Sequence, residues 1–144
     1  MQIKELGHVV LYVTNLEKVA AFYKDILGFN QIAAQPGMAA FSGGRTHHEL
    51  LLIEVGGKAV HKGTQPGLYH IGFKIGNSDK ELQDAIKLLT EKKVTVVGTA
   101  DHWVTHSLYI LDPDGNELEL YVDIDDGWKK EPSLVMKPPR HLKL

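Results

Sequence analysis

The sequence predicts an α+β protein made of two β-α-β-β-β modules, whose strands form a curved eight-stranded mixed sheet. Two observations carry this prediction. Residues 6–13, LGHVVLYV, match residues 68–75, LYHIGFKI, at one constant offset, and Asn15 falls on Asn77 at the same offset. In both copies apolar residues alternate as in a half-buried strand, and a stretch with helical spacing follows. An internal repeat of this kind predicts two similar structural units.

The elements of the first module follow from apolar spacing and turn residues. Residues 7–13 read as a strand, and the helix after Thr14 or Asn15 should end at Gly28. Residues 29–34 and 38–42 are predicted as two short strands around a Pro-Gly turn, and residues 48–55 as a stronger one.

The second module repeats this order. Ser78 and Glu81 form a capping-box pattern at the start of a helix that extends to residue 89. Strands are predicted at 94–97, 107–111 and 117–122. The predicted boundaries are residues 1–56 for the first module, 57–67 for a Gly-rich linker, 68–123 for the second module and 124–144 for a tail. The tail is expected to be disordered, to cover the open sheet or to contact a partner subunit.

Composition excludes several classes of function. The net charge of -2 and the scattered lysines give no basic surface for nucleic acid. The chain has no cysteine, so disulfides and thiolate ligands are excluded. No apolar run approaches the roughly 18 residues of a membrane span, and no signal pattern is present, so a cytoplasmic protein is expected. The edges of eight short strands favour a homodimer.

Strand parity groups three candidate metal ligands. His8 and His70 occupy the same repeat position and face away from the predicted helices, as does Glu119 among the leucines of the last strand. If the modules form a cup, two imidazoles and one carboxylate suit a divalent transition metal with open positions, most readily Fe(II), with Mn, Ni or Zn as possibilities. Glu117, on the same face, is expected to be exposed to solvent.

The segments GHVVLYV, YHIGFKI, FYKDILGF and DPDGNELELY resemble the vicinal oxygen chelate superfamily over about residues 3–123. That superfamily includes glyoxalase I, extradiol ring-cleaving dioxygenases, fosfomycin-modifying thiol transferases and bleomycin-resistance proteins. The resemblance implies metal ligands at His8, His70 and Glu119, a cup built from both modules, and pairing as dimers.

Three further places resemble the small extradiol enzymes of catechol 2,3-dioxygenase type. They are His47-His48, Asp101-His102 and Tyr109. The resemblance implies that His48 is an acid/base histidine beside dioxygen, and that His102 and Tyr109 hydrogen-bond the substrate. It thus implies an Fe(II)-dependent enzyme that cleaves the ring of a catechol-type vicinal diol with dioxygen. The segment departs from the DHGVS pattern at Trp103 and Thr105.

Other readings of the same residues stay open. A glyoxalase I-like isomerase needs a fourth ligand, where this chain offers Leu51 or Leu52, and Glu54 could serve only after a shift in register. A thiol transferase needs clustered basic groups, and only Arg45 and Lys74 are candidates. A binding protein of bleomycin-resistance type would need no metal.

His106 competes with His102 for the role beside Tyr109. Parity places His106 on the face opposite Tyr109, which favours His102.

Overall fold

The computed structural model describes residues 1–59, 63–64 and 66–144, so the predicted linker at 57–67 lies partly outside the described residues. Within them the chain forms eight strands and two α-helices. In chain order the elements are β1 (Val9–Val13), α1 (Leu16–Ala21), a π-helical turn (Phe22–Ile26), β2 (Asn30–Gln35), β3 (Met38–Ser42), β4 (Leu50–Glu54), β5 (His70–Gly76), α2 (Asp79–Glu91), β6 (Val96–Asp101), β7 (Thr105–Leu111), β8 (Glu117–Asp123), and 3-10 turns at Gly127–Lys129 and Pro132–Met136.

The first unit contains residues Met1–Lys62 and Pro113–Gly115. Its sheet has the order β1-β4-β3-β2, with β1 parallel to β4. Alternation along β1 decides which face is buried, because Leu11 and Val13 are buried while Tyr12 is exposed. The helical segment supplies Val19, Phe22 and Tyr23 to the same core. Asn15 caps α1 by accepting from the amide of Lys18, as the sequence predicts.

The second unit contains residues Gly63–Asp112 and Asn116–Leu144. Its sheet has the equivalent order β5-β8-β7-β6, and β5 is parallel to β8. On β8 the residues Leu118, Leu120 and Val122 are buried, and Leu82 and Leu89 of α2 are buried as well. The alternate residues of β8, Glu117, Glu119 and Tyr121, are only half-buried, so they occupy the face away from the core.

The predicted capping box differs in detail. Ser78 is the N-cap residue of α2, but its side chain makes no capping bond to the helix backbone. The Ser78 hydroxyl donates to the Glu81 carboxylate instead. The two residues are therefore joined at the start of α2 through their side chains.

The α+β class with two β-α-β-β-β modules is confirmed, and the eight strands are hydrogen-bonded as two mixed sheets of four. Boundaries shift at several strands. β6 begins two residues later than predicted and continues to Asp101. The prediction that His48 opens a strand is wrong, because β4 begins at Leu50. Among the described residues, no helix has the length and apolar content needed to span a bilayer.

Candidate metal and substrate site

Glu119 lies in the middle of a row of three residues on the open face of the second sheet. In the strand register it is opposite Gly72 on β5 and Tyr109 on β7. The Tyr109 hydroxyl donates to Glu119 Oε1 at 3.0 Å. A Cβ atom at position 72 would lie 3.4 Å from Glu119 Oε2, so glycine leaves this side of the carboxylate open. The Glu119 side chain is 16% exposed, so it is held in place yet accessible.

His70 is the first residue of β5 and meets the same carboxylate. Its Nε2 atom lies 3.2 Å from Glu119 Oε2. Its Nδ1 atom is buried and has no hydrogen-bond partner among the described residues. The Glu117 carboxylate lies 3.7 Å from Nδ1. An imidazole and a carboxylate held this close form a donor pair that suits a divalent transition metal.

Glu117 is not the freely exposed carboxylate that the sequence predicts. Its side chain is 23% exposed and lies beside His70. It also accepts a hydrogen bond from Tyr69, and this bond and the Glu117 charge raise the pKa of the Tyr69 phenol. The parallel register, which sets Glu117 opposite His70, is the signal that could have predicted this contact.

His102 completes a chain of polar groups with Tyr109 and Glu119. The His102 Nε2 atom is 2.8 Å from the Tyr109 hydroxyl and 3.9 Å from Glu119 Oε1. Because Tyr109 gives its one proton to Glu119, the Nε2 atom of His102 must be the donor to the Tyr109 oxygen. Burial, and then the Glu119 charge and hydrogen bond, raise the pKa of Tyr109, so its hydroxyl stays protonated near neutral pH.

His106 faces away from this group. Its Nδ1 atom lies 2.5 Å from Asp79 Oδ1 at the start of α2, and its Nε2 atom lies 3.8 Å from Asp101 Oδ1. This is the side that strand parity predicts for His106. The geometry therefore brings His102, and not His106, to Tyr109.

The first unit gathers the other three histidines of interest. His8 precedes β1 and is exposed, and its ring centroid lies 4.4 Å from that of His48. The His47 and His48 rings are 4.5 Å apart, with their Nδ1 atoms at 2.6 Å. Partial burial, then the nearby His8 and His47 imidazoles, lower the pKa of His48. His48 is therefore neutral near pH 7.

Arg45 and Glu49 bind the loop backbone beside these histidines, a role that the sequence did not predict for either residue. Arg45 donates through Nη2 to the carbonyls of Leu6 at 2.9 Å and Gly7 at 3.1 Å, directly before His8. Glu49, directly after His48, accepts from the backbone amides of Gly43, Arg45 and Thr46 at 2.8 to 3.0 Å. No periodicity marks either residue, because both act on loop backbone.

The fourth ligand position of the first module is apolar. Val10 is opposite Leu51 on β4, and Leu51 is opposite Ala40 on β3, which repeats the register of Gly72, Glu119 and Tyr109. The β1–β4 register runs without a shift from Val9 to Val13. The Glu54 side chain is bound at another place, since its Oε2 accepts from the Leu16 amide at the start of α1, at 2.6 Å. The β1–β4 pairing therefore lacks the shift in register that would put Glu54 in the position of Leu51.

The three predicted ligands do not lie in one unit. His70 and Glu119 belong to the second unit, and His8 belongs to the first. Among the described residues, no group of three or more His, Asp or Glu side chains is close enough to form a metal site by itself. The second unit thus supplies a two-residue donor pair, with a buried imidazole nitrogen that lacks a hydrogen bond.

Comparison with known proteins places this chain in a family. Residues 5–120 match the Glyoxalase/Bleomycin resistance protein/Dioxygenase superfamily. The chain is 32% identical over 120 residues to a catechol-2,3-dioxygenase of Bacillus subtilis, covering 82% of this chain but only 41% of that protein. It is also 32% identical over 122 residues to the metallothiol transferase FosB of Staphylococcus haemolyticus, covering 83% of this chain and 84% of that protein.

Solved structures show the same fold. A glyoxalase/dioxygenase from Nostoc punctiforme superposes with a TM-score of 0.67 at 20% identity, covering 85% of this chain and 92% of that one. The chain therefore belongs to the glyoxalase, bleomycin resistance protein and dioxygenase superfamily.

Proposed function

We propose that this protein is an Fe(II)-dependent extradiol dioxygenase that cleaves the ring of a catechol-type vicinal diol with dioxygen. His8, His70 and Glu119 would hold the metal. Bound iron would supply charge that lowers the pKa of a coordinated diol hydroxyl, and open positions for the diol and dioxygen. The observation that carries the proposal is the hydrogen-bonded chain from His102 through Tyr109 to Glu119.

This chain of bonds can orient an aromatic diol. The Tyr109 hydroxyl is a protonated donor, held between an imidazole and a carboxylate. His102 Nε2, 2.8 Å from the Tyr109 oxygen, is a second donor of the same group. In the structure these two protons go to Glu119 and to the Tyr109 oxygen. An entering diol oxygen would replace those acceptors, and two donors at fixed positions would set the plane of its ring.

His48 is proposed as the acid/base group. The lowered pKa leaves its ring neutral near pH 7, so it can accept a proton from the substrate and return it to a product oxygen. Its half-buried position, with Glu49 fastening the loop on one side, restrains the ring. His47, which is exposed, serves as the matched comparison.

Three alternatives are less well supported by the same geometry. A thiol transferase would need cationic groups for the carboxylates of a thiol cofactor, but Arg45 pairs with Glu5 at 3.1 Å and Lys74 pairs with Asp123 at 2.5 Å. A glyoxalase I-like isomerase would need a ligand where Leu51 stands. A metal-free binding protein would leave the donor pair of His70 and Glu119 without a role.

The test is ring cleavage by protein loaded anaerobically with Fe(II) and then mixed with a panel of catechols in air. A yellow product with uptake of oxygen is expected. His48→Gln should slow turnover roughly 100-fold while iron binding changes little. His47→Gln removes only the neighbour whose Nδ1 lies 2.6 Å from His48 Nδ1, so it should slow turnover less. No product across the panel would reject the proposal. Equal loss of iron and activity in His48→Gln would make His48 a ligand instead. Thiol transfer with Mn or Ni would favour the alternative.

A further inference from the structure

The C-terminal tail is fastened to the strand end that carries His102. Asp101 and Arg140 exchange two backbone hydrogen bonds, from Asp101 N to Arg140 O at 3.0 Å and from Arg140 N to Asp101 O at 2.8 Å. Thr99 Oγ1 donates to the Leu142 carbonyl at 2.9 Å, and Leu142 is only 8% exposed. The tail thus pairs with β6, the outermost strand of its sheet.

The Arg140 side chain contacts Asp101 and Trp103, the residues on either side of His102. Its Nη2 atom donates to Asp101 Oδ2 at 2.6 Å, and its guanidinium carbon lies 3.7 Å from the centre of the Trp103 ring. Lys137 lies 4.7 Å from the centre of that ring, and the Trp103 indole donates to the Pro138 carbonyl at 2.9 Å. Trp103 is therefore fixed by three tail residues.

The turn between Asp101 and Thr105 needs such support. Trp103 has a φ of 74°, a left-handed conformation that is strained for a residue other than glycine. The turn is closed by bonds from Trp103 N to Asp101 Oδ1 at 2.7 Å and from His102 N to Thr105 O at 2.8 Å. His102 lies within this turn, and its Nε2 atom lies 2.8 Å from the Tyr109 hydroxyl.

We propose that residues 137–142 form a strap that positions His102, and that Arg140 is the positioning residue within it. The strap holds Trp103 in its left-handed conformation, and this turn aims the His102 imidazole at Tyr109. Its role in turnover rests on the proposed function, since His102 is there a substrate contact. The planar guanidinium is suited to this position, because it pairs with a carboxylate and stacks on an indole at once.

The test compares Arg140→Met and Arg140→Lys with Lys129→Met. Lys129 pairs with Asp126 in the same tail, and no contact joins it to the strap or to Trp103 among the described residues. All variants are made in a Trp128→Phe background, so that Trp103 is the only tryptophan. In the metal-free protein, Arg140→Met should increase quenching of Trp103 fluorescence by acrylamide and shift the ring signals of His102 in long-range 1H–15N spectra. Arg140→Lys should be intermediate, and Lys129→Met should change neither.

In the iron-loaded protein, Arg140→Met should lower kcat roughly 10-fold and change KM less, because the His102 donor is misaimed. A truncated chain that ends at Met136 should show the same fall in kcat as Arg140→Met. If the truncated chain does not fold, Arg140→Met alone tests the strap. Unchanged Trp103 quenching and His102 signals would overturn the strap. If the parent protein cleaves catechols, an Arg140→Met variant with shifted His102 signals but an unchanged kcat would also overturn the proposal. If the wild type cleaves none, the proposed function fails, whereas the metal-free measurements still decide the strap.

Discussion

The two modules have the same strand order but differ in one row across their sheets. In the first module the row is Val10, Leu51 and Ala40, and in the second it is Gly72, Glu119 and Tyr109. The backbone pairing is equivalent, yet the first row is apolar and the second holds a carboxylate between a glycine and a phenol. The repeat therefore preserves the scaffold, while the two sheets differ in chemistry at these three positions.

The largest effect should come from removing the carboxylate of the second row. Glu119→Gln takes away an anionic donor that lies 3.2 Å from His70 Nε2, so Fe(II) affinity should fall more than about 100-fold. Anaerobic iron titration measures this loss. Glu54→Gln is the control from the first module, because Glu54 bonds to the start of α1, and it should only lower the melting temperature slightly. Equal iron affinities in the two variants would contradict the assignment of Glu119.

Adding a carboxylate to the first row should have the next largest effect. Leu51→Glu places an acid at the position equivalent to Glu119, and Leu51 is half-buried, so the fold can accept the change. An additional ligand would occupy a position that substrate needs, so ring cleavage should fall roughly 10-fold or more while metal stays bound. Metal analysis together with turnover checks this, and Leu51→Gln is the matched control. Unchanged turnover would show that Leu51 does not face the metal.

Removing one hydroxyl from the second row should cost less. Tyr109→Phe deletes the bonds to His102 and Glu119, so kcat should fall roughly 10-fold while the iron affinity changes little. Tyr12→Phe is the control, because Tyr12 is a largely exposed tyrosine of the first module. A Tyr109→Phe variant with full turnover would remove the phenol from the proposed mechanism.

The smallest effects concern the carboxylates that hold the histidine loops. Burial alone would raise the pKa of Glu49 and of Asp101. For Glu49, hydrogen bonds from Gly43, Ser42, Thr46 and Arg45 outweigh burial and lower the pKa. For Asp101, the hydrogen bonds from Trp103 and Arg140 and the charges of Arg140 and His106 do the same. A lowered carboxyl pKa stabilises the fold above the ordinary values of 4.5 and 3.8, and this contribution is lost as the pH falls through the lowered values.

Urea unfolding between pH 7 and pH 3 tests this sign. Glu49→Gln and Asp101→Asn should each be less stable than the parent at pH 7 and should lose less stability on acidification. Glu17→Gln, on the exposed surface of α1, should follow the parent. A variant of Glu49 or Asp101 with the parent's acid dependence would show that its loop does not depend on the charge.

The alternation of apolar residues along the strands and the internal repeat predict most of the fold. The alternation in GHVVLYV and YHIGFKI identifies the buried face, and parity on β7 and β8 groups Tyr109 with Glu119 and separates His106 from them. Loop geometry could not be predicted in the same way. His48 lies outside a strand, in a loop whose amides bond to the Glu49 side chain, and the left-handed Trp103 bonds through its amide to the Asp101 side chain. Arg140 meets Asp101 from a distant part of the chain. Such bonds leave no periodic pattern.

The parallel pairing of β5 with β8 has a consequence for the growing chain. These are the first and last strands of the second module. His70 begins β5, whereas Glu119 lies on β8, after α2, β6 and β7 in the sequence. During synthesis His70 is made well before Glu119, and the two meet only when the last strand enters the sheet between β5 and β7. Completion of the sheet and assembly of the donor pair are therefore one event, so a nascent or truncated chain that ends before Glu117 has neither.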